Sequence, residues 1–282
     1  MAGSLITAYL FVRSISFAVE MRVLKSALEE RNSGSVTYLY GITRNNTVKE
    51  ASLPDHAEIF YNQRSKFQEV KNGEEFYQLT LKLFKENQDQ DKLNNWQEVG
   101  FKEQEVKALF FMNLVSGFWD YGNKNNPDKV GCVGSNEDNN WQRIPADSIT
   151  IQDYLQSNIG CCTDYAHFLK YLLDHEGIKN RLVIHPGHIF NEVWLDGSWR
   201  VMDANTGLYV NKSWGELLKQ GGKYNDLLIY RFPRHDASIG PHYRQIIPAF
   251  QLFMLHKALV GGTEKEIEDI EYPELPEWFS RF

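Results

Sequence analysis

The sequence predicts an α+β fold in which a cysteine-bearing helix packs on a small antiparallel sheet, behind an N-terminal mainly helical lobe. Three observations carry this expectation. Residues 162–176 place apolar side chains at helical spacing, residues 181–203 alternate like strands around an Asp-Gly turn, and helical patterns dominate the first hundred residues. The lobe is expected over residues 1–100 and the cysteine-bearing domain over 101–282, with a C-terminal helical extension.

Taken in order, Leu5, Tyr9, Val12, Ser16, Val19 and Val23 predict a helix over residues 4–31 that lays an apolar face on the protein's own core. The run Leu5 to Val12 is too short to span a membrane, and no basic stretch precedes it, so no signal peptide is expected. Ser35 to Ile42 reads as a strand, Arg44 to Thr47 as a turn, and Glu74 to Lys85 as a helix followed by a polar connection from Asn87 to Asn95. Gln104 to Tyr121 predicts a long apolar helix, and the Asn-rich stretch Gly122 to Asn140 an exposed loop bordering a cleft. Ser213 and Glu216 form a capping box that opens a helix through Leu218, ended by Gly221 and Gly222. Pro248 to Val260 is the last strong helix. The acidic tail from Glu264 carries Pro273 and Pro276, and its Trp278, Phe279 and Phe282 are expected to pack back on the domain.

The helix from Cys162 to Glu176 is the chemically informative one. Tyr165, Ala166, Leu169, Leu172 and Leu173 form its buried stripe, and Cys162 lies three, four and seven residues before the first three of these, so its thiol points inward. Thr163, His167, Lys170 and Asp174 make the opposite, solvated face, and Gly177 ends the helix. A cysteine in the first turn sees the positive end of the helix dipole, which favours the nucleophilic thiolate. Gly160, lacking a Cβ, would let the backbone pass close to a substrate.

Arg181 to His185, His188 to Leu195 and Ser198 to Asp203 read as three strands, the last two joined by Asp196-Gly197. That turn sets Leu195 opposite Ser198 and Trp194 opposite Trp199. Asp203 then points to the same side as His188, a diagonal neighbour roughly 7–8 Å away at Cα. One residue earlier or later, it would face away. A thiol, a base within reach and a carboxylate to orient the base are what nucleophilic acyl chemistry requires, and Cys162, His188 and Asp203 supply them.

Gly160-Cys161-Cys162-Thr163-Asp164-Tyr165-Ala166-His167, a leucine-rich helix, Gly177-Ile178, and the hairpin Glu192-Val193-Trp194-Leu195-Asp196-Gly197-Ser198-Trp199 ending in Asp203 resemble the bacterial transglutaminase-like, papain-like cysteine superfamily. The resemblance covers residues 100–210. It implies a papain-like core with Cys162 as nucleophile, His188 as base and Asp203 as orienting acid. It also points to Gln156, six residues before Cys162, as an oxyanion donor, a role for which Asn158 and the Cys162 amide compete. Ile189 after the histidine, the second cysteine Cys161 and the Asn-rich insert depart from the pattern. Trp141, in that insert, is a candidate substrate contact, as are Phe190, Trp194 and Trp199, which share the His188 face. His185 and Glu192 read as strand polar residues.

Composition excludes other classes. The net charge of −7, without basic runs, argues against nucleic-acid binding. Three cysteines are too few for a disulfide framework or a thiolate zinc site, so Cys132 and Cys161 read as bystanders and the setting as reducing and cytoplasmic. No metal or organic cofactor is called for. The expected activity is amide hydrolysis or acyl transfer on a peptide-like substrate. The alternative from another class is a binding or assembly module that uses the same cleft without turnover.

Overall fold

Both residues of the Asp196-Gly197 turn adopt positive φ, 50° and 80°, the geometry whose twist matches flanking antiparallel strands. The sheet is built outward from this turn. The computed structural model describes residues 37–42, 52–53, 64–90, 93, 96–97, 100–121, 132, 150–157, 159–185, 188–220, 227–231 and 261–275. The expected helices over 4–31 and 248–260, the turn at 44–47, the residues Gly221 and Gly222, Trp141, Asn158 and the aromatic tail end lie outside them.

Strands β1 (Thr37–Ile42) and β2 (Ser52–Leu53) come first in the chain. They are followed by helices α1 (Gly73–Asp89) and α2 (Glu103–Ser116), strand β3 (Asp120–Tyr121), helix α3 (Ile151–Gln156) and strand β4 (Ile159–Gly160). Then come helix α4 (Cys162–His175), strands β5 (Asn180–His185), β6 (His188–Leu195), β7 (Ser198–Asp203) and β8 (Leu208–Val210), helix α5 (Trp214–Gln220), strand β9 (Leu227–Arg231) and helix α6 (Glu264–Glu268). The antiparallel sheet has the order β2-β1-β9-β8-β7-β6-β5, with β5 at one edge. Leu195 pairs with Ser198 and Trp194 with Trp199, as the turn requires. Because β1 pairs with β9 and α1 contributes Phe76, Leu83 and Phe84 to the main core, residues on both sides of position 100 share one sheet and one core.

Caps fix the helix starts. Asn72 accepts the Glu75 amide at 2.9 Å, Thr150 and Asp153 bond reciprocally, and the Ser213–Glu216 box opens α5. Helix α2 is shorter than its apolar pattern. It stops at Ser116, and the chain turns at Gly117 so that β3 can pair in parallel with β4. The apolar run continues past the helix because Phe118 and Trp119 are buried in the loop itself.

Among the described elements, helix α4 packs against α2 and against β5 and β6. Every residue from Asp164 to Leu173 is buried, including His167 and Lys170. The expected solvated face is therefore corrected at His167 and Lys170, while Asp174 is exposed and Thr163 half-buried; amphipathic spacing marks one covered side, and this helix is covered on more than one. Phe168 meets Phe76 edge-on at 5.3 Å and Trp119 at 5.0 Å, and Phe67 meets Phe118 at 4.9 Å, an aromatic layer joining α1, α2 and α4. On the far side of α2, buried Glu105 accepts from Arg200 and Tyr209, and Arg200 Nη1 donates to Tyr209 Oη at 2.9 Å, tying α2 to β7 and β8.

Gly160 has a different role from the one its sequence position indicates. A Cβ there would stand 2.8 Å from Cγ of Trp119, so the glycine makes room for an indole of the protein rather than for a substrate. The indole is itself fixed, its Nε1 donating to the Tyr154 carbonyl at 2.8 Å. Gly160→Ala is expected to cost about 1–3 kcal/mol, the usual penalty for overpacking. Urea unfolding of the two proteins measures it; equal midpoints would mean that Trp119 yields without strain.

Candidate active site

Three elements meet at the site: the first turn of α4, the start of β6 and the end of β7. Cys162 is the first residue of α4, partly exposed, and the free cysteine among the described residues. His188 opens β6, paired with His185 across β5, and its side chain is 3% exposed. Asp203 closes β7 with its side chain 1% exposed. The histidine Nε2 and Asp203 Oδ2 are 2.8 Å apart. The same-side placement read from strand parity is thus present, and the side chains bridge the diagonal.

Asp203 is held by more than the histidine. Its Oδ1 accepts the amides of Asn205 at 2.9 Å and Thr206 at 3.3 Å, while Oδ2 also accepts the Thr206 hydroxyl at 2.6 Å. The tight turn between β7 and β8 thereby wraps the carboxylate in donors, which offset the cost of its burial. Sequence reading missed Asn205 and Thr206; an aspartate followed two and three residues later by Asn and Thr is the signal for such a turn. Phe190 stacks beside the ring of His188 at 5.8 Å between centroids.

Burial is the largest influence on His188 and pulls its pKa down. The charge and hydrogen bond of Asp203, then the hydrogen bond and charge of Cys162, together outweigh it and raise the value to about 10. With Nε2 bonded to Asp203, an interaction of the ring with the Cys162 thiol would use Nδ1. Beside the Asp203 carboxylate the ring holds its proton at neutral pH.

Cys161 diverges from its neighbour. Its sulfur is bonded to Cys132 rather than aimed at the histidine. Cys161 is the extended N-cap of α4 and not a residue of the helix, so it is the change of backbone conformation, and not a helical rotation, that parts the two side chains. This corrects the reading of Cys132 and Cys161 as bystanders and removes cysteine usage as an argument for a reducing compartment. Sequence could not pair them, because 29 residues separate them and nothing local brings the two together. Among the described residues, Cys132, Cys161 and Asp164 are the one grouping of possible metal ligands. The two sulfurs are bonded to each other, and Asp164 Oδ2 accepts the Cys161 amide at 2.8 Å, so the group serves structure.

Gln156 ends α3 with an exposed side chain. Trp194 and Trp199 contact each other at 5.3 Å, with Lys179 over both rings and Arg181 over Trp199 at 4.2 Å. They are occupied by packing rather than lining a cleft. Glu192 is fully buried, ion-paired with Arg181 at 2.6 Å and accepting the Trp214 amide, which anchors α5 on the sheet. His185, also buried, meets Trp214 edge-on at 5.3 Å. No described helix is long and apolar enough to cross a membrane. The chain matches no family model, no curated protein and no solved structure.

Two outcomes follow from this geometry. His188 is at 6.5 when unfolded and about 10 when folded, so its pairing stabilises the fold fully below pH 6.5 and is lost as pH rises from 6.5 towards 10. Asp203→Asn removes the charge and should lower the His188 value and flatten that loss, read by imidazole NMR titration and urea melts across pH; an unchanged titration would sink the ion-pair assignment. Reducing the Cys132–Cys161 bond, which closes a separation of 29 residues, should lower unfolding free energy by about 3.6 kcal/mol, the chain-entropy expectation for a loop of this size. Urea melts with and without reductant measure this, and coincident curves would show that the bond does not constrain the fold.

Proposed function

We propose that the protein is a cysteine-dependent amide hydrolase of papain-like architecture, acting on a peptide-like substrate through Cys162, His188 and Asp203. The observation that carries the reading is the buried His188, bonded through Nε2 to Asp203 and interacting with the Cys162 thiol, on a sheet packed against the cysteine helix. A partly exposed sulfur beside a fully enclosed base suits attack on a substrate arriving from solvent.

In the first half-reaction the Cys162 thiolate adds to the amide carbonyl carbon, and the carbonyl π electrons move onto oxygen. The Cys162 amide in the first turn of α4 is the donor best placed by backbone direction for that oxyanion, with Gln156 the side-chain candidate. Collapse breaks the C–N bond while His188 delivers its Nδ1 proton to the leaving amine, leaving an acyl-thioester and a neutral imidazole. Asp203 holds the ring orientation throughout. In the second half, neutral His188 takes a proton from water, the resulting hydroxide equivalent adds to the thioester, and the C–S bond breaks. Acid and thiolate are released, and the imidazolium is restored.

Hydrolysis is favoured over transfer because a transferase needs a walled acceptor channel. Of the four candidate aromatic side chains, Trp194 and Trp199 are covered by Lys179 and Arg181, Phe190 stacks on His188, and Trp141 lies outside the described residues.

Without reductant, iodoacetamide at neutral pH should label one cysteine per chain, Cys162, with a rate that falls in Asp203→Asn. On peptide esters, Cys162→Ala should lose roughly 10³-fold or more in kcat. Millimolar amine should leave turnover and product unchanged. A rise in turnover with diversion to the amine adduct would establish a transferase instead. A reactive Cys162 with no turnover on any ester would favour a binding module.

A further inference from the structure

We infer that the outer edge of β5, the last of the described strands on this side of the sheet, is a docking strand for an extended peptide, and that the chain's own segment Glu271–Leu275 occupies it as a displaceable mimic. The inference rests on the proposed peptide chemistry and adds where and how the peptide is held. Strand β5 ends the sheet, so its outward amides and carbonyls are a template for one more strand. The tail uses it: Ile184 donates to the Glu271 carbonyl at 2.9 Å and accepts the Glu271 amide at 3.2 Å, an antiparallel bridge. The bridge lies at the level of the site, because Ile184 pairs with Ile189 and the next pair inward is His185 with His188.

Two side-chain positions of the segment are recognised. Tyr272 lies 3.9 Å from the Arg181 guanidinium, which is sandwiched against Trp199 on its other side at 4.2 Å. Three residues on, Leu275 packs against Ala166, Leu182 and Ile189, the same small apolar cluster against which Cys162 packs. An aromatic residue followed at the third position by an aliphatic one is therefore the side-chain pattern this edge selects.

The segment is also held loosely, for a reason written in its sequence. Hydrogen-bonded pairs in an antiparallel ladder recur every second residue, so after Ile184 and Glu271 the next pair sets Leu182 opposite position 273. Position 273 is proline, which has no N–H to donate. The ladder stops after one bridge, and Glu271, Tyr272 and Glu274 remain exposed. A substrate with any other residue there gains bonds that the tail cannot make, and displaces it.

The test uses the full chain. Pro273→Ala should tighten the segment on the edge and slow Cys162 alkylation by iodoacetamide several-fold. Tyr272→Ser with Leu275→Ser should loosen it and speed alkylation several-fold; the single Tyr272→Ser, which removes only an exposed ring, should act in the same direction if the double variant does not fold. In a Cys162→Ala background carrying the loosening substitutions, a labelled peptide Ile-Glu-Tyr-Ala-Glu-Leu should bind more tightly than Ile-Glu-Tyr-Pro-Glu-Leu, and a version with Tyr and Leu exchanged should not bind. Alkylation rates that ignore all three variants, or equal binding of the three peptides, would overturn the inference. Neither readout needs turnover, so peptide binding without hydrolysis would leave this docking edge standing and remove the proposed activity.

Discussion

Taking a carboxylate out of water costs several kcal/mol unless its oxygens are bonded, and Asp203 is 1% exposed. Four donors meet it: two backbone amides, one hydroxyl and the His188 ring. Three of the four come from the turn that follows β7, so the acid is settled by its own chain neighbours before the histidine is considered. The histidine is the group with a choice. Burial alone would leave it neutral; next to a satisfied carboxylate it holds its proton instead. The state of the ring therefore depends on the geometry of a four-residue turn at the end of one strand.

Local chemistry made part of this legible. The Asp196-Gly197 turn fixes register by backbone conformation, register fixes parity, and parity places His188 and Asp203 on one side; each step involves residues within a single hairpin. The helix start at Cys162 was legible for the same reason. What escaped depended on partners far along the chain. The exposure of His167 and Lys170 is decided by α2 and the sheet rather than by the pattern of α4. The purpose of Gly160 is decided by Trp119, in a loop that the apolar run from Gln104 disguised as helix. The pairing of Cys161 with Cys132 depends on a long connection whose course no periodicity records. The bridge from Glu271 to Ile184 joins a proline-containing tail to a strand with no sequence cue in either.

Adjacent cysteines serve opposite ends here. One sulfur is oxidised and tethers the chain that precedes α4, and the other stays free beside the base. Their separation comes from a change of backbone conformation, since Cys161 caps the helix in an extended conformation and Cys162 is its first helical residue. The Asp164 carboxylate, by accepting the Cys161 amide, fixes where that change of conformation falls.

The hairpin that joins base to acid also restricts how this chain tolerates changes in length. A residue added to or removed from the Asp196-Gly197 turn shifts β7 by one position against β6, and every side chain on β7 changes face. Asp203 would then leave the His188 side, and Val201 would leave the face it shares with Trp199. Two residues restore the face but move the carboxylate one pleat along the strand, beyond the reach of the ring. Length variation in this segment is thus discrete, with one permitted value.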